Sequence, residues 1–252
     1  MKTVAGVFGS REAALGAWES LCSIGIPEAD ISLLSPGASD AEVAEAVATT
    51  EGEQPGIGPA IGAVAGGASG AMIGTALGTL VIPGVGAVAA VGTLATAIAA
   101  AAGALLGAAT GKKLQDELEI GLPKDEIFVY EDALRKGRTV VVAVVPDDKA
   151  DRARAMLDMA GAESVDAARE QWWVGTRDAE EEGYRASGRN FTRDEPAFRR
   201  GFEASLNPEA RGKTWEQVRV VIVARTPADA ESDAFRRGFE RGSEYYRNLT
   251  AR

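Results

Sequence analysis

Histidine is absent from the 252 residues. The side chain that most often serves as general base, proton shuttle or transition-metal ligand near neutral pH is therefore missing. Cysteine occurs once, as Cys22, which excludes an intramolecular disulfide framework. Cys22 shares helical spacing with Ala14, Leu15, Trp18 and Leu21, so it reads as a structural thiol. No Gly-Lys-Ser/Thr follows the glycines near Gly9 or Gly92, which excludes a phosphate loop there. The acidic stretch GTRDAEEEG (175–183) lacks calcium-loop spacing and reads as a solvated helix face. Neither a catalytic constellation nor a cofactor or metal site is expected. Arg11 and Glu12 interrupt the first apolar stretch, so no signal peptide is read and a cytoplasmic setting is the default. The largest absence is of charge: between Gln54 and Gly111, 58 residues pass without Asp, Glu, Lys or Arg.

The charge that is present divides unevenly. Residues 1–166 hold 11 cationic and 22 acidic side chains, whereas residues 167–252 hold 16 and 15, with 15 of those 16 cations arginine. An acidic front part opposes a phosphate-binding surface, so no nucleic-acid partner is expected. The densely mixed C-terminal part favours protein contacts.

KTVAGVF (2–8) predicts a strand, Ser10 an N-cap, and residues from Arg11 a helix that Gly25 ends. ISLL (31–34) predicts a second strand. Residues 36–55 are acidic and turn-rich and read as a linker. Beyond the uncharged run, Pro123 and Asp125 open a helix with Ile127, Tyr130 and Leu134 on one side, stopped by Gly137. TVVVAVV (139–145) is a buried-strand run. Asp147 or Asp148 begins a helix that ends at Gly161, and residues 163–166 read as a short last strand. The expected fold is α+β: split ferredoxin-like β-α-β units, 1–35 and 112–166, flanking the insertion of residues 56–111.

Inside that insertion glycine recurs every fourth residue, at Gly58, Gly62, Gly66, Gly70, Gly74 and Gly78. The pattern continues as Ala95, Ala99, Gly103, Gly107 and Gly111. Pro83-Gly84 divides the run into Ile57–Ile82 and Val85–Thr110, 26 residues each, or about 39 Å as helices at 1.5 Å per residue. A bilayer core is about 30 Å thick. Small residues on one helical stripe let backbones approach where lipid gives no hydrophobic drive to association. The expectation is thus an antiparallel glycine-zipper helical hairpin that inserts into the membrane, each half long enough to span it. Lys112 and Lys113 at its exit leave both ends cytoplasmic. The alternative is a soluble oligomeric, ligand-sensing module with the hairpin buried between subunits.

KTVAGVFGSREAALGAWESLCSIGIPEADISLLSP, a glycine-rich hairpin carrying IPGVG, GLPKDEIFVYEDALRKGRTVVVAVV and DKADRARAMLDMAGAESVD follow one another in that order. Over residues 1–166 this order resembles the bacterial general stress protein and low-temperature-induced protein family. The resemblance implies a stress-associated, membrane-linked, non-catalytic protein, and it supplies no catalytic residues. EPAFRRGFE (195–203) is similar to aromatic-rich repeats appended to some stress proteins of this group.

The C-terminal part, residues 167–252, carries an internal repeat: AFRRGFE at 197–203 recurs at 234–240. Phe198 and Phe202, and likewise Phe235 and Phe239, are four apart and share a helix face. Glu195–Arg199 and Asp233–Arg237 are favourably spaced ion pairs. Phe198, Arg199, Arg200, Phe202, Phe235, Arg236, Arg237 and Phe239 are the candidate interaction residues, with plain helix packing as the competing reading. Trp172 and Trp173 read as core. Thr214-Trp215-Glu216-Gln217 has capping-box spacing, but VRVVIVAR (218–225) also suits a strand, and the two stay open. Membrane lipid, further copies of the chain and a protein docked on the tail are the expected partners.

Overall fold

The computed structural model describes residues 1–37, 77–92, 94–95, 97–98, 123–225, 230 and 232–251. Gly58, Gly62, Gly66, Gly70, Gly74, Ala99, Gly103, Gly107 and Gly111 lie outside them, as does the linker beyond Gly37. The chain divides into two compact units: residues 1–123 with 130–165, and residues 124–129 with 166–252.

The first unit is built on strands β1 (Lys2–Phe8), β2 (Ile31–Pro36), β3 (Leu77–Ile82), β4 (Gly86–Val91) and β5 (Thr139–Val145), with helices α1 (Arg11–Ser23) and α3 (Ala150–Met159). Helix α2 (Ile127–Arg135) has its first turn in the second unit and the remainder here. The strands form one sheet in the order β1-β5-β2-β4-β3, and every pairing is antiparallel. Because β5 lies antiparallel to both β1 and β2, those two run parallel to each other with β5 between them. Ser10 caps α1 as expected, its Oγ accepting from the Ala13 amide at 3.2 Å. Val141, Ala143 and Val145 join Trp18 and Leu21 of α1 and Ala153 and Leu157 of α3 in one core. Val140 and Val142 on the opposite face of β5 are buried as well. A strand covered on both faces has no polar face to alternate with, which explains the unbroken run TVVVAVV.

The expected last strand shrinks to one bridge. Val7 and Glu163 exchange amide–carbonyl hydrogen bonds of 2.9 and 2.8 Å, and Arg138 pairs with the Glu163 carboxylate at 2.5 Å. Helix α4 begins two residues later, at Val165.

The central correction concerns the uncharged hairpin. Residues 77–82 and 86–91 are strands, not parts of two helices, and no helix among the described residues is long and apolar enough to cross a membrane. The turn falls where the sequence places it, but it is a β-turn: the Val85 amide donates to the Ile82 carbonyl at 3.0 Å. Pro83 presets φ at the second position, and Gly84 supplies the positive φ of +73° that a type II turn needs at the third. Gly78 lies within β3. Ala95, with Leu94, Ala97 and Ile98, is helical and buried. A spacing of four cannot separate the two structures, because four is an even number and also returns to one face of a strand. The signal that decides is local: β-branched Thr79, Val81, Ile82, Val85, Val88 and Val91 cluster around Pro-Gly.

The end of β4 is fixed by a close approach. Gly92 has φ +92°, and a Cβ placed there meets the Ile31 carbonyl oxygen and Ser32 Oγ, both at 2.4 Å. The same Ser32 hydroxyl, fully buried, accepts from the Leu94 amide at 3.0 Å. Ser35 and Thr139 add a buried hydroxyl pair at 3.2 Å between β2 and β5.

Candidate functional site

The second unit is helical: α4 (Val165–Ala186), α5 (Phe191–Leu206), α6 (Trp215–Arg225) and α7 (Asp233–Thr250). The stretch left open, 218–225, is helix. The Gln217 side chain accepts from the Thr214 amide at 2.8 Å, closing the helix-start arm of the capping box. Asn190 and Ser232 cap α5 and α7 through the Arg193 and Phe235 amides.

Each copy of AFRRGFE lies on one of two helices, α5 and α7, and the copies pack on each other. A Cβ added to Gly201 would meet the Phe235 carbonyl oxygen at 1.9 Å, and one added to Gly238 would meet the Phe198 carbonyl oxygen at 1.9 Å. Gly238 is the counterpart of Gly201, and Phe235 the counterpart of Phe198, so the contact is reciprocal. This is the pattern a two-fold interface makes between identical subunits, here inside one chain. One turn on, Gly242 faces Ser205 and the Phe202 carbonyl. Contact positions advance together along both helices, so the two cross running in the same sense. Gly201-x-x-x-Ser205 meets Gly238-x-x-x-Gly242: small residues four apart bring backbone against backbone. The glycine hydrogens that replace the Cβ atoms aim at carbonyl oxygens, the arrangement of Cα–H···O contacts between helices.

Close approach of the backbones drives the four phenylalanines into the interior. Phe198, Phe202, Phe235 and Phe239 are all buried. Phe202 lies within 5.4–6.3 Å, centroid to centroid, of Tyr245, Trp172, Trp173 and Phe198. Trp215 covers Phe235 and Phe239 from the α6 side at 5.9 and 5.4 Å. Trp172 meets Phe128 edge-on at 4.7 Å and donates through Nε1 to the Tyr245 hydroxyl at 3.3 Å.

The arginines form the rim of this core. Arg199 donates to Glu203 and Glu170, each at 2.7 Å, and its guanidinium lies 5.5 Å from the Trp173 ring centroid. Arg236 bonds Glu240 at 3.1 Å, and Arg237 bonds Asp233 at 3.0 Å, as its spacing predicts. Arg200 is exposed. Glu195 departs from its expected partner: it receives Arg177 at 2.7 Å and Trp173 Nε1 at 3.0 Å instead of Arg199. Glu180, inside the stretch read as a solvated face, is buried and accepts both Nε and Nη2 of Arg241 at 2.8 and 2.9 Å. Its partner lies 61 residues away, which no local pattern discloses. Gly201 and Gly238, by contrast, carried a signal, small residues flanked by phenylalanine at four-residue spacing.

The Arg177 guanidinium holds the Glu195 carboxyl below the usual carboxylate range, and Arg237 does the same for Asp233. Burial, followed by the bond to Asp194, pushes the Tyr184 hydroxyl up to about 12, so it remains the donor in its 2.9 Å bond to Asp194. Folded carboxylates with depressed pKa values stabilise the unit above the ordinary carboxylate range, and that stability is lost as the pH falls through their folded values. We expect the urea midpoint followed by tryptophan fluorescence to be lower at pH 3 than at pH 7. Glu195→Gln should reduce the difference between the two.

No family model, curated protein or solved structure matches the chain. The fold and the site define an α+β sheet unit joined in one chain to a helical unit organised around an internal helix duplication.

Proposed function

We propose that this is a non-enzymatic, stress-associated protein that works by self-assembly, with the uncharged hairpin built into its sheet. In this reading β1-α1-β2 with β5 between the parallel strands is the split half of a ferredoxin-like sheet, extended at β2 by the β3–β4 hairpin. The resemblance of residues 1–166 to general stress proteins supports the biological setting.

One observation carries the assembly reading: β3, LGTLVI, is an edge strand without a single charge or proline. Natural edge strands are blunted by lysine, proline, bulges or covering elements. Among the described residues β3 pairs on one side only, with β4, and Val81 is 64% exposed. The occupant is β3 of a second copy, paired antiparallel across a two-fold axis. Light scattering coupled to size exclusion tests it. The wild type should run as a dimer or larger, and Val81→Lys should run as a monomer with an unchanged far-UV spectrum. A monomeric wild type at high concentration removes the reading.

The run of 58 uncharged residues supports a second reading, attachment to a lipid surface without a membrane-spanning helix. Lys112 and Lys113 adjoin its end. Retention of the native protein in the pellet after a carbonate wash is the expected result, and release ends that reading.

A further inference from the structure

The seam between α5 and α7 shows what an AFRRGFE helix binds: a second AFRRGFE helix, crossing it in the same sense. The two sides match atom for atom. A Cβ on Gly201 would lie 1.9 and 2.7 Å from the Phe235 carbonyl oxygen and carbon, and one on Gly238 would lie 1.9 and 2.7 Å from those of Phe198. Nothing in this contact requires the two helices to belong to one chain.

One position departs from the symmetry, and it selects the partner. Four residues beyond the paired glycines, α5 carries Ser205 and α7 carries Gly242. A Cβ on Gly242 would enter Ser205 Oγ and lie 2.6 Å from the Phe202 carbonyl oxygen. The α5 helix of another copy would bring its own serine to that place, so α5 collides with α5 where α7 fits. The helix that suits α5 is α7.

The helical unit divides along this seam. Trp172 and Trp173 of α4 pack on Phe202 of α5, and Arg177 of α4 bonds Glu195 of α5. On the other side Trp215, Val218 and Ile222 of α6 cluster with Phe235 and Phe239 of α7. Each half thus has apolar contacts of its own. Residues 207–214, with Pro208 and a left-handed Gly212 (φ +69°), join the halves.

We propose that the seam is an exchange interface: α6–α7 of one chain docks on α4–α5 of a second copy, which returns its own α6–α7 and closes a two-fold dimer. The exchanged pair re-forms the glycine contacts, the Glu180–Arg241 pair and the Trp172–Tyr245 bond between chains. Only residues 207–214 change conformation, and exchange of an identical element is a low-cost route to a dimer. The interface uses neither β3 nor the first unit, so it goes beyond the pairing proposed for that strand.

Full-length chains carrying Val81→Lys, which takes β3 out of play, test the exchange. Deleting residues 211–213 leaves α6–α7 on a connection too short to fold back onto its own α5, and short hinges favour swapping. Light scattering should then show at least about tenfold more dimer than the undeleted chain at equal concentration, with an unchanged far-UV spectrum. In the second arm, Gly201→Leu and Gly238→Leu chains are mixed. Each alone loses the crossing within its chain. The mixture joins the intact α5 of one to the intact α7 of the other, one good crossing of two, so about half of the wild-type tryptophan signal of this unit should return. The return should grow with protein concentration, as an association between chains must. This arm needs no deletion and stands by itself if the shortened chain loses its helices. The proposal is overturned if the shortened chain stays monomeric with its helices intact, or if the mixture never exceeds the mean of its two components.

Discussion

Gly238→Leu is expected to unfold the C-terminal helical unit at temperatures where the wild type is intact. The leucine Cβ would fall 1.9 Å from the Phe198 carbonyl oxygen and 2.7 Å from its carbon, atoms of a neighbouring helix backbone that no rotamer can move. The helices must separate, and separation pulls Phe198, Phe202, Phe235 and Phe239 away from their tryptophan and tyrosine neighbours. Overpacking of a filled core costs about 1–3 kcal/mol and occasionally more; backbone overlap with loss of aromatic packing places this substitution at or above the upper end. For a unit of this size that corresponds to roughly 12 °C or more in Tm. Reciprocity predicts the same loss for Gly201→Leu. Tryptophan fluorescence reports the event, since Trp172, Trp173 and Trp215 all lie in this unit. The control is Gly183→Ala on α4, where a Cβ meets nothing within 4 Å. Alanine there should raise stability by about 0.5–1 kcal/mol through helix propensity. Opposite signs at two helical glycines distinguish crossing-point packing from a general effect of glycine.

Gly92→Ala decides between the two structures of the uncharged hairpin by the sign of its effect. In a helix, alanine for glycine stabilises by about 1 kcal/mol. In the sheet, residue 92 holds φ +92° and its Cβ would enter the Ile31 carbonyl and the Ser32 hydroxyl. The left-handed backbone alone disfavours alanine by about 1–2 kcal/mol, and the overlap with β2 adds to it. Ser32 Oγ would also lose its geometry toward the Leu94 amide. We expect a destabilisation of about 3 kcal/mol, read as a lower urea midpoint of the first unit with Trp18 as probe. A stabilising Gly92→Ala would restore the helical hairpin.

The flanks of the first unit were legible because their signals are local. Ser10, Gly25, Gly137 and Gly161 punctuate helices whose apolar residues repeat at helical spacing, and the valine run of β5 has few alternatives. The helical expectation for the hairpin fails because a four-residue glycine period is shared by helix stripes and strand faces. Locally, Pro-Gly amid β-branched residues favours strands. Close backbone approach through small residues is the physics expected of the hairpin, and among the described residues it operates instead where α5 crosses α7. The α6 segment shows the reverse conflict: β-branched valines suit a strand, but the capping box at Thr214–Gln217 and packing under Trp215 keep it helical.

Strands β1, β2 and β5 with helices α1, α2 and α3, the turn at Pro83-Gly84, the absence of histidine chemistry and the doubling of AFRRGFE all follow from the sequence by itself, because each rests on neighbours a few residues apart. Only the tertiary structure decided that the hairpin joins the sheet, that the two copies face each other, and that Glu180 belongs to Arg241. Those outcomes depend on which distant surfaces exclude water together. A chain met one residue at a time carries the shapes of its surfaces but not their pairing.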